Sequence, residues 1–489
     1  MKTQTQLWRP RFRMRHLTVR RNYVWLTTLM ATCVAALTGC NSEPAITMNN
    51  VVSTSESTHE ATSATTKSNR ILTRLFWQDR TDGSVYVGDL SLQGDKYAVS
   101  KSKVKNFPEV SPDEHDLVQM EIAHGRLIVG VRDHADGKNK SGWVEIDTGV
   151  EEESHGDHSH WHYSSDANVS STTLDVNQGN PAHVYRYGNH IYIANDKNNG
   201  FTQIDSSGST DTSAAKFFKG GGGHITLAAV ASRIAYSTWI DRAGDNCGRV
   251  DVVDLRNESS EPRYSFNLPV GGIHGAGACG NRVFFAPKNG VCWVDCDFDF
   301  SETSDSVSIG HLSLDGDPSG TDYRTGAFKT FEDHMLCIAN SKAGAPTLCV
   351  INGTAPKPVV TRISCDDLEE GLKLSTVSAT KIVGNRCFAF AFAEGEGLDE
   401  KLLVFELDPN GDRSFDDAKL VNSIKVGPSK LEGHFGHHGI TFLGNNKTAV
   451  VTNPGDGTLS VVDLVNQKVI QSVDVGGQPT HLLCYGETM

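Results

Sequence analysis

The amino-acid sequence predicts an all-β fold, a single β-propeller of eight blades, with seven blades as the alternative. Helical periodicity is almost absent, and short runs of Val, Ile, Phe, Tyr and Thr alternate with turn residues over about 420 residues. One sequence pattern also recurs at intervals of about 42 to 64 residues, which is the length of a four-stranded blade. No second linker interrupts this stretch, so a domain built from repeats accounts for it better than tandem β-sandwiches.

The repeat is clearest in three segments, each with a first strand, a turn, a second strand, another turn and a strand that ends in Asp. They read NPAHVYRYGNHIYIANDKNNGFTQID from Asn180, GGIHGAGACGNRVFFAPKNGVCWVDCD from Gly271 and FGHHGITFLGNNKTAVVTNPGDGTLSVVDL from Phe435. Weaker copies begin near Asp116, Gly222, Asp322 and Leu374. These seven segments are predicted to begin seven of the eight blades.

The two ends of this stretch complement each other. The segment QPTHLLCYG from Gln478 has the pattern of a first strand with no blade after it, and residues 71–100 have the pattern of a blade without its first strand. Together they are predicted to form one closing blade, which removes the exposed sheet edges. The propeller is therefore expected to span residues 71–489.

A targeting segment precedes the predicted fold. It carries seven basic residues and no acidic residue before position 40, followed by an apolar run over residues 23–36. The run ends in Leu-Thr-Gly-Cys40, which resembles the lipobox of bacterial lipoproteins. That resemblance implies that residues 1–39 are a signal peptide and that Cys40 is the lipidated first residue of the mature chain. An ordinary cleaved signal peptide is the alternative.

The residues after the lipobox indicate where the protein resides. Asn41 is not Asp, so the lipobox resemblance implies an outer-membrane anchor that faces the periplasm. Residues 40–70 are rich in Ser, Thr, Asn and Glu and are predicted to be a flexible tether. The formal net charge is −14, and loss of the basic signal makes the remaining chain more acidic still. Such a body attracts cations and repels nucleic acid, and a monomer is expected.

Nine cysteines follow Cys40, and in an exported protein the first expectation is disulfide bonds. Cys337 and Cys349 lie in two apolar segments on either side of a Lys-Ala-Gly-Ala-Pro turn, so they are the candidate pair for a cross-strand bridge. The odd count leaves at least one thiol without a partner inside the chain, unless that thiol binds a metal.

The predicted first strands carry histidines at equivalent positions of different repeats. A closed propeller would gather these imidazoles around one axis, and neutral imidazole is the usual nitrogen ligand of zinc. The candidates are His183, His224, His274, His437 and His438, with His124 and His481 in similar places. The alternative is that these histidines only form hydrogen bonds to buried water or backbone.

A second candidate is the stretch HGDHSHWH, in a predicted mobile loop over residues 151–163. It contains His155, His158, His160 and His162 and follows three glutamates. In an extended chain the last three lie on one face, with successive Cα atoms about 6.6 Å apart, so the loop must curl to bring three onto one ion. Such a loop suits capture or transfer of an ion; the alternative is a solvated loop that binds metal only in a purification column.

Other chemistry finds little support in the sequence. The segment KGGGGH from Lys219 lacks the Gly-Lys-Ser/Thr that binds phosphate, and there is no Gly-x-Ser-x-Gly or His-Glu-x-x-His motif. The segment DPNGDRSFDD from Asp408 lacks the glycine at position six and the closing glutamate of a calcium loop. Imidazole suits zinc, copper and nickel alike, so the residues alone leave the metal open.

The Gly271 segment GGIHGAGACGNRVFFAPKNGVCWVD, the segment GHFGHHG and the His-rich insertion resemble the periplasmic zinc metallochaperones of the AztD type. The resemblance implies a propeller that binds zinc and passes it, without catalysis, to the solute-binding protein of a zinc importer. It also implies that His274 and the loop of residues 155–162 bind zinc. The lipobox and the many cysteines depart from that family, and a tethered chaperone needs a partner within reach.

Two other classes of function remain open at this stage. Propellers with central histidines can hold copper or iron, so a redox metalloenzyme is one alternative. A propeller scaffold that binds a protein or a glycan without any metal is the other.

Overall fold

The computed structural model describes residues 70–156, 158–205, 215–257 and 259–486. The predicted signal peptide, the lipidation site Cys40 and the tether up to residue 69 lie outside the described residues. Within the described ranges the regular structure is β-sheet, apart from one short 3-10 helix, Asp196–Asn198. No helix of the described part is long and apolar enough to cross a membrane.

Eight sheets of four or five strands form an eight-bladed β-propeller. Blade one contains β1 (Arg70–Asp79), β2 (Ser84–Gln93), β3 (Lys96–Val99) and β4 (Ser102–Lys103), and blade two contains β5 (His115–Ala123), β6 (Arg126–Asp133), β7 (Ser141–Asp147) and β10 (Asn168–Asp175), with an inserted hairpin of β8 (Glu151–Ser154) and β9 (Ser159–His162). Blade three contains β11 (Pro181–Tyr187), β12 (His190–Asn195), β13 (Gly200–Asp205) and β14 (Ala215–Lys219). Blade four contains β15 (Leu227–Val230), β16 (Ile234–Thr238), β17 (Arg249–Asp254) and β18 (Tyr264–Asn267).

The other four blades follow in the same order. Blade five contains β19 (Ala276–Cys279), β20 (Arg282–Phe285), β21 (Val291–Asp295) and β22 (Gly310–Leu312), and blade six contains β23 (Lys329–Phe331), β24 (His334–Ala339), β25 (Thr347–Asn352) and β26 (Val360–Ser364). Blade seven contains β27 (Lys373–Leu374), β28 (Ala379–Val383), β29 (Arg386–Glu394), β30 (Lys401–Glu406) and β31 (Lys419–Lys425). Blade eight contains β32 (Ile440–Phe442), β33 (Thr448–Asn453), β34 (Thr458–Asp463) and β35 (Lys468–Asp474). The last strand, β36 (Pro479–Tyr485), returns to the first blade.

The closing blade joins the two ends of the propeller, as predicted from the sequence. Strand β36 pairs antiparallel with β1, in a register that runs from Arg74 opposite Tyr485 to Asp79 opposite Pro479. The C-terminal strand is thus the innermost strand of a blade whose other strands are N-terminal. Each of the eight sheets is then flanked by two others, so the first and last sheets leave no face open to solvent. The expected number of eight blades is confirmed.

Packing between neighbouring blades explains why the middle strands are almost continuously apolar. Each blade is covered on both faces, so both sides of such a strand are buried; five of the six residues of β12, for example, are inaccessible to solvent. Aromatic rings fill the wedges between blades, as where Tyr236 of blade four meets Phe285 of blade five at a centroid distance of 6.2 Å. Burial of each such large side chain contributes about 1.5–3 kcal/mol.

The innermost strands all run in the same direction around the ring. The backbone N–H of Val184 donates to Gln119 Oε1 at 3.0 Å. Two residues further along the strand of Val184 and three residues further along that of Gln119, the Arg186 guanidinium donates to the carbonyl of Ile122. We call the face where the inner strands begin the start face, and the opposite one the end face. A histidine near the beginning of an inner strand therefore lies near the start face.

The two cysteines predicted to form a disulfide lie directly opposite each other. Cys337 in β24 pairs in register with Cys349 in β25, and both side chains are fully buried. Opposed residues of antiparallel strands have Cα atoms about 4.5–5.5 Å apart, which suits a disulfide. The structure nevertheless holds both as free thiols, and the hydrogen bond between them together with burial raises the pKa of Cys337. The predicted bridge is therefore not seen, and it stays a prediction.

Candidate metal centre

The inner strands surround a central cavity of about 770 Å³. Closure of the propeller gathers imidazoles at the start-face end of this cavity, although they are up to about 300 positions apart in the chain. The histidines that line this cavity are His183, His274, His434, His437, His438 and His481. Only His183 and His481 lie within regular inner strands; the others come from the segments that lead into them. Five of these six, all except His434, are among the seven channel histidines predicted from the repeat pattern.

Three of the predicted histidines form a continuous cluster on blades three, four and five. His183 Nε2 lies 3.1 Å from His224 Nε2, and their ring centroids are 4.7 Å apart. The ring of His274 follows at 5.1 Å from that of His224. Two nitrogen ligands of a tetrahedral zinc ion are about 3.4 Å apart, given Zn–N bonds of about 2.0–2.1 Å. We call His183, His224 and His274 the channel triad.

A buried carboxylate orients the middle imidazole of the channel triad. Asp196 Oδ2 lies 3.4 Å from His224 Nδ1, while Oδ1 accepts a hydrogen bond from the backbone N–H of Ile225. The guanidinium of Arg132 donates to the same carboxylate at 3.2 Å. Because Nδ1 faces the carboxylate, we assign the proton of His224 to Nδ1, so its Nε2 carries a lone pair that faces His183 Nε2. This is the tautomer that metal ligation through Nε2 requires.

Asp196 is a candidate site residue that the sequence reasoning missed. It is the first residue of the 3-10 helix and is buried. The signal that could have found it is present in the segment HIYIAND, where an Asp follows a buried strand immediately after the repeat that carries His183. Nothing in the sequence, however, relates this position to His224, which lies on the next blade.

Two of the triad imidazoles, His183 and His274, have lowered pKa values, which favours the neutral form that binds metals. Burial, followed by the nearby His224, lowers the pKa of His183 to about 3. Burial likewise lowers the pKa of His274, whose Nδ1 lies 3.4 Å from the carbonyl oxygen of Gly326. A neutral imidazole requires no deprotonation before it ligates, so proton competition is weak at neutral pH.

The opposite side of the channel mouth, formed by blades eight and one, also carries histidines. His437 Nδ1 lies 2.7 Å from Glu394 Oε2, and this hydrogen bond raises the pKa of His437. His481 lies in β36, and burial together with His437 lowers its pKa to about 4. Blades eight and one stand across the ring from blades four and five, so these two histidines face the channel triad.

The expectation that His438 is a metal ligand is not supported. Its Nδ1 lies 2.5 Å from the carbonyl of Thr452 and its Nε2 lies 2.8 Å from Glu400 Oε2, so both ring nitrogens have partners. The side chain is fully buried, and its ring stacks on Phe392 at 4.8 Å. This imidazole links blade eight to blade seven, which is the structural alternative that the sequence left open.

The sixth histidine of the mouth, His434, lies on a short loop. Backbone hydrogen bonds in both directions between Glu432 and Phe435 close this loop tightly. Arg80 of blade one contacts both ends of it, with a guanidinium nitrogen 3.5 Å from Glu432 Oε2 and its carbon 4.6 Å from the ring centroid of Phe435. The contacts of Arg80 thus keep His434 at the channel mouth.

The His-rich loop is a β-hairpin rather than an irregular segment. The carbonyl of His158 accepts a hydrogen bond from the N–H of His155 at 2.8 Å, and β8 pairs with β9 on either side of this turn. Alternation along the hairpin puts His155, His158 and His160 on one face. Their ring centroids are 5.0, 5.1 and 5.5 Å apart. Three imidazoles on one tetrahedral zinc have centroids roughly 5 Å apart.

The hairpin turn thus brings three imidazoles close together, which an extended chain could not do. His155 joins the group from the opposite strand, and the fourth predicted histidine, His162, instead lies 3.0 Å from Glu153 Oε2. We call His155, His158 and His160 the hairpin triad.

The hairpin triad lies far from the channel triad. On the other face of the hairpin, Trp161 packs edge-on against Tyr485 at 5.3 Å, and the nearby Tyr163 hydroxyl donates to the carbonyl of Gly486. Tyr485 ends the inner strand β36, so the hairpin is fastened to the end face. His481 lies four residues earlier on the same strand, about 13 Å nearer the start face. The two predicted histidine groups are therefore on opposite faces and do not share an ion.

The placement of His124 with the channel histidines was wrong. It follows the last residue of β5, in the turn to β6, with a φ of 48°, and it is exposed. The register of the weak copy near Asp116 misled the sequence reasoning, because the inner strand of this blade begins at His115 and ends at Ala123. His124 consequently lies at the end face, away from the channel triad.

Within the described ranges no group of three or more His, Cys, Asp or Glu side chains is arranged to hold a metal ion as the side chains stand. In the hairpin triad all three pairs of rings are at ligand-like spacing, whereas in the channel triad only the two pairs that include His224 are. Rotation about the Cβ–Cγ bonds changes the nitrogen directions with little movement of the rings, and this torsion is soft. The triads are thus candidate sites that close around an ion.

The class of protein defined by these features is an eight-bladed β-propeller with a histidine-lined channel. No family model matches the chain, and no curated protein matches it in sequence. Among solved structures, the chain is similar to AztD from Citrobacter koseri, with 16% identity, a TM-score of 0.57, and coverage of 86% of this chain and 99% of that one. The apo form of the same protein gives 15% identity and a TM-score of 0.58, with the same coverage.

A third similar structure is the dihydro-heme d1 dehydrogenase NirN in complex with DHE. It gives 12% identity and a TM-score of 0.51, and the match covers 86% of this chain and 76% of that one. At these identities the likeness shows the shared propeller fold.

Proposed function

We propose that the protein is a zinc-binding propeller that holds zinc in the channel triad and transfers it to a partner protein. The observation that carries this proposal is the contact of 3.1 Å between two imidazole nitrogens at the mouth of a water-accessible channel, with a buried carboxylate behind one of them. His438, by contrast, has protein partners at both ring nitrogens, which leaves neither available to a metal. The resemblance to AztD-type metallochaperones seen in the sequence agrees with zinc as the cargo.

The mechanism follows from the number of ligands. Three imidazoles leave one position of a tetrahedral zinc open, and a ligand from a partner can enter there before any triad histidine leaves. Asp196 restrains His224, so His183 and His274 are expected to be displaced before it. Zinc then moves by stepwise ligand exchange and is never released as a bare ion.

The hairpin triad is proposed as a separate capture site on the end face. Its imidazoles are solvent-accessible, as shown by the 44% exposure of the His155 side chain, and Glu153 of β8 lies beside them, with Oε1 3.5 Å from His155 Nε2. The local negative charge attracts cations. Because this site is fastened to the opposite face, it delivers zinc to the channel triad of the same molecule only through the channel or through solution.

The cellular setting is proposed from the sequence. A lipid on Cys40 would hold the protein at the outer membrane, facing the periplasm, with a monomeric propeller on a flexible tether. The proposed partner is the periplasmic solute-binding protein of a zinc importer. Metabolic labelling with a radioactive fatty acid tests the anchor: wild type is expected to be labelled and Cys40→Ser is not.

Zinc titration of protein made without a histidine tag tests the proposed function. Two zinc ions per chain are expected by elemental analysis after exposure to zinc and desalting, because the two triads are independent. A coloured, redox-active protein that contains iron or copper would instead favour the metalloenzyme. A protein without stoichiometric metal would favour the scaffold and contradict the proposal.

We also propose that Cys337 and Cys349 form a disulfide when the protein is exported. Their directly opposed, fully buried positions in β24 and β25 support this proposal, because opposed residues of antiparallel strands have Cα separations that suit a disulfide. Peptide mass mapping of protein isolated from the periplasm, with free thiols blocked before digestion, is expected to recover the linked pair. Reduction should lower the melting temperature of wild type but leave the double variant Cys337→Ala/Cys349→Ala unaffected; alkylation of both thiols without reduction would contradict the bond.

A further inference from the structure

The central cavity is far larger than a zinc ion requires. Its volume of about 770 Å³ compares with about 30 Å³ for one water molecule, so a triad-bound ion and its water occupy a small part of it. Below the histidines the wall contains Gln119, Tyr185 and Thr380 together with apolar side chains such as Phe392 and Leu483. An apolar wall with a few polar groups is typical of a site for a small organic molecule.

Two ionisable side chains in this part of the channel lack a protein partner. Lys329 of β23 and Glu121 of β5 both line the cavity, and among the described residues neither has a hydrogen bond or an ion pair. They belong to blades six and two, which are diametrically opposed in an eight-bladed ring. A molecule on the channel axis can therefore contact both of them.

The environment of Glu121 favours its neutral form. Burial raises the pKa of its carboxyl to about 7, although the positive charges of Lys329 and Arg186 oppose the shift. At neutral pH a large fraction of Glu121 thus carries a proton and can donate a hydrogen bond. Its negative charge only partly balances Lys329, so this part of the channel can accept an anion.

Charge balance at the channel triad also favours an anion in the channel. Imidazole ligands contribute no negative charge, and the nearby Asp196 is already paired with Arg132. A bound divalent zinc therefore adds two positive charges to a channel that also contains Lys329. Uncompensated charge in a region of low dielectric is costly, so an anion in the channel stabilises the loaded state.

The distance between the channel triad and Lys329 suits a small molecule. On neighbouring inner strands Gly275 lies against Gly326 and Gly277 against Phe328, so His274 is at the level of Gly326. Lys329 is three residues further along its strand, about 10 Å deeper in the channel. The flexible lysine side chain reaches back over several ångströms, which leaves a gap that a chain of four to six carbon atoms spans.

We propose that the middle of the channel binds a small aliphatic di- or tricarboxylate, with one carboxylate on the Lys329 ammonium and another at the open coordination position of zinc in the channel triad. The inference rests on the proposed function, since it places its ligand on the zinc-loaded triad. Zinc would then be carried as a mixed complex, with the carboxylate both balancing its charge and occupying the position that a partner's ligand must enter.

The test is calorimetric titration of L-malate into zinc-loaded and zinc-free protein, because malate is a small dicarboxylate and a weak chelator. Zinc-loaded wild type is expected to bind one malate, and zinc-free protein to bind it at least about 10-fold more weakly. Lys329→Met removes a charge-assisted hydrogen bond and should weaken binding about 10- to 100-fold. Lys342→Met, an exposed lysine on the same blade, is the matched control and should leave the affinity unchanged.

Two further measurements separate failure of this inference from failure of the proposed function. Zinc retention after each titration is measured by elemental analysis, and zinc affinity without malate is measured for wild type and Lys329→Met, where equal values are expected. Absence of malate binding to zinc-loaded wild type, or equal binding by both lysine variants, would overturn the carboxylate site. Absence of channel zinc in wild type would overturn the proposed function.

Discussion

Replacement of His224 by Ala is expected to weaken zinc binding in the channel by at least about 100-fold. His224 is the only member of the channel triad that contacts both of the others, at ring distances of 4.7 and 5.1 Å. Its removal leaves His183 and His274, whose rings are not in contact with each other. Loss of a group that merely orients a ligand already costs 10- to 100-fold in affinity, so loss of the central ligand should cost more.

The measurement is competition between the protein and a fluorescent zinc chelator of known affinity. It is made in a protein that also lacks the hairpin triad, so that only the channel site is reported. His311→Ala is the matched control, because His311 is an exposed histidine whose Nε2 lies 2.9 Å from the carbonyl of Asn289, away from the channel. An affinity of the His224 variant within about threefold of the control would remove the channel triad from the proposal.

Asp196→Asn tests the orienting carboxylate separately. Asparagine keeps the shape of the side chain but removes the charge that holds the proton on His224 Nδ1, so zinc affinity is expected to fall about 10- to 100-fold. The same substitution weakens the contact with Arg132, so the melting temperature is measured alongside. A fall in stability without a change in zinc affinity would show that Asp196 acts on the fold alone.

Replacement of all three histidines of the hairpin triad by Ala is expected to lower the zinc content by one ion per chain. The rings are 5.0–5.5 Å apart and solvent-accessible, so they form a site whose loss does not disturb the core. The melting temperature should change little, since exposed substitutions of this kind fall within about ±0.5 kcal/mol. Channel affinity should also be unchanged, because the sites lie on opposite faces.

The readouts are zinc stoichiometry by elemental analysis and the rate at which zinc-free protein acquires zinc from a dilute solution. His162→Ala is the matched control, because His162 belongs to the same hairpin but pairs with Glu153 instead of the triad. Unchanged stoichiometry and an unchanged acquisition rate in the triple variant would exclude the hairpin from metal binding. Equal losses in the triple variant and the control would show that the hairpin binds zinc only non-specifically.

The propeller was predictable because its signals are local and repeated. Alternating apolar residues between turns specify strands one by one, and the copies from Asn180, Gly271 and Phe435 show that one blade is repeated. The unmatched first strand near Gln478 and the incomplete blade over residues 71–100 specify how the ring closes. Each of these inferences uses residues within one blade, so none depends on knowing the contacts between blades.

The candidate sites were predictable only in part. Histidine at equivalent repeat positions identified the residues at the channel mouth, since a closed ring brings such positions to one axis. The same reasoning included His438 and His124 wrongly, because sequence does not show that Glu400 binds one of them or that the strand register places the other at the end face. It also missed Asp196, which acts on a histidine of the next blade.

The chain alone therefore established the blade, the number of its repeats, the closure of the ring and the residue types available for metal binding. Tertiary structure decided which imidazoles meet, which of them are already bonded, and that the hairpin and channel triads lie on opposite faces. The physical reason is that patterning records the burial of each residue against its own strand neighbours. Ligand geometry depends instead on side-chain contacts between blades, whose partners lie tens to hundreds of residues away.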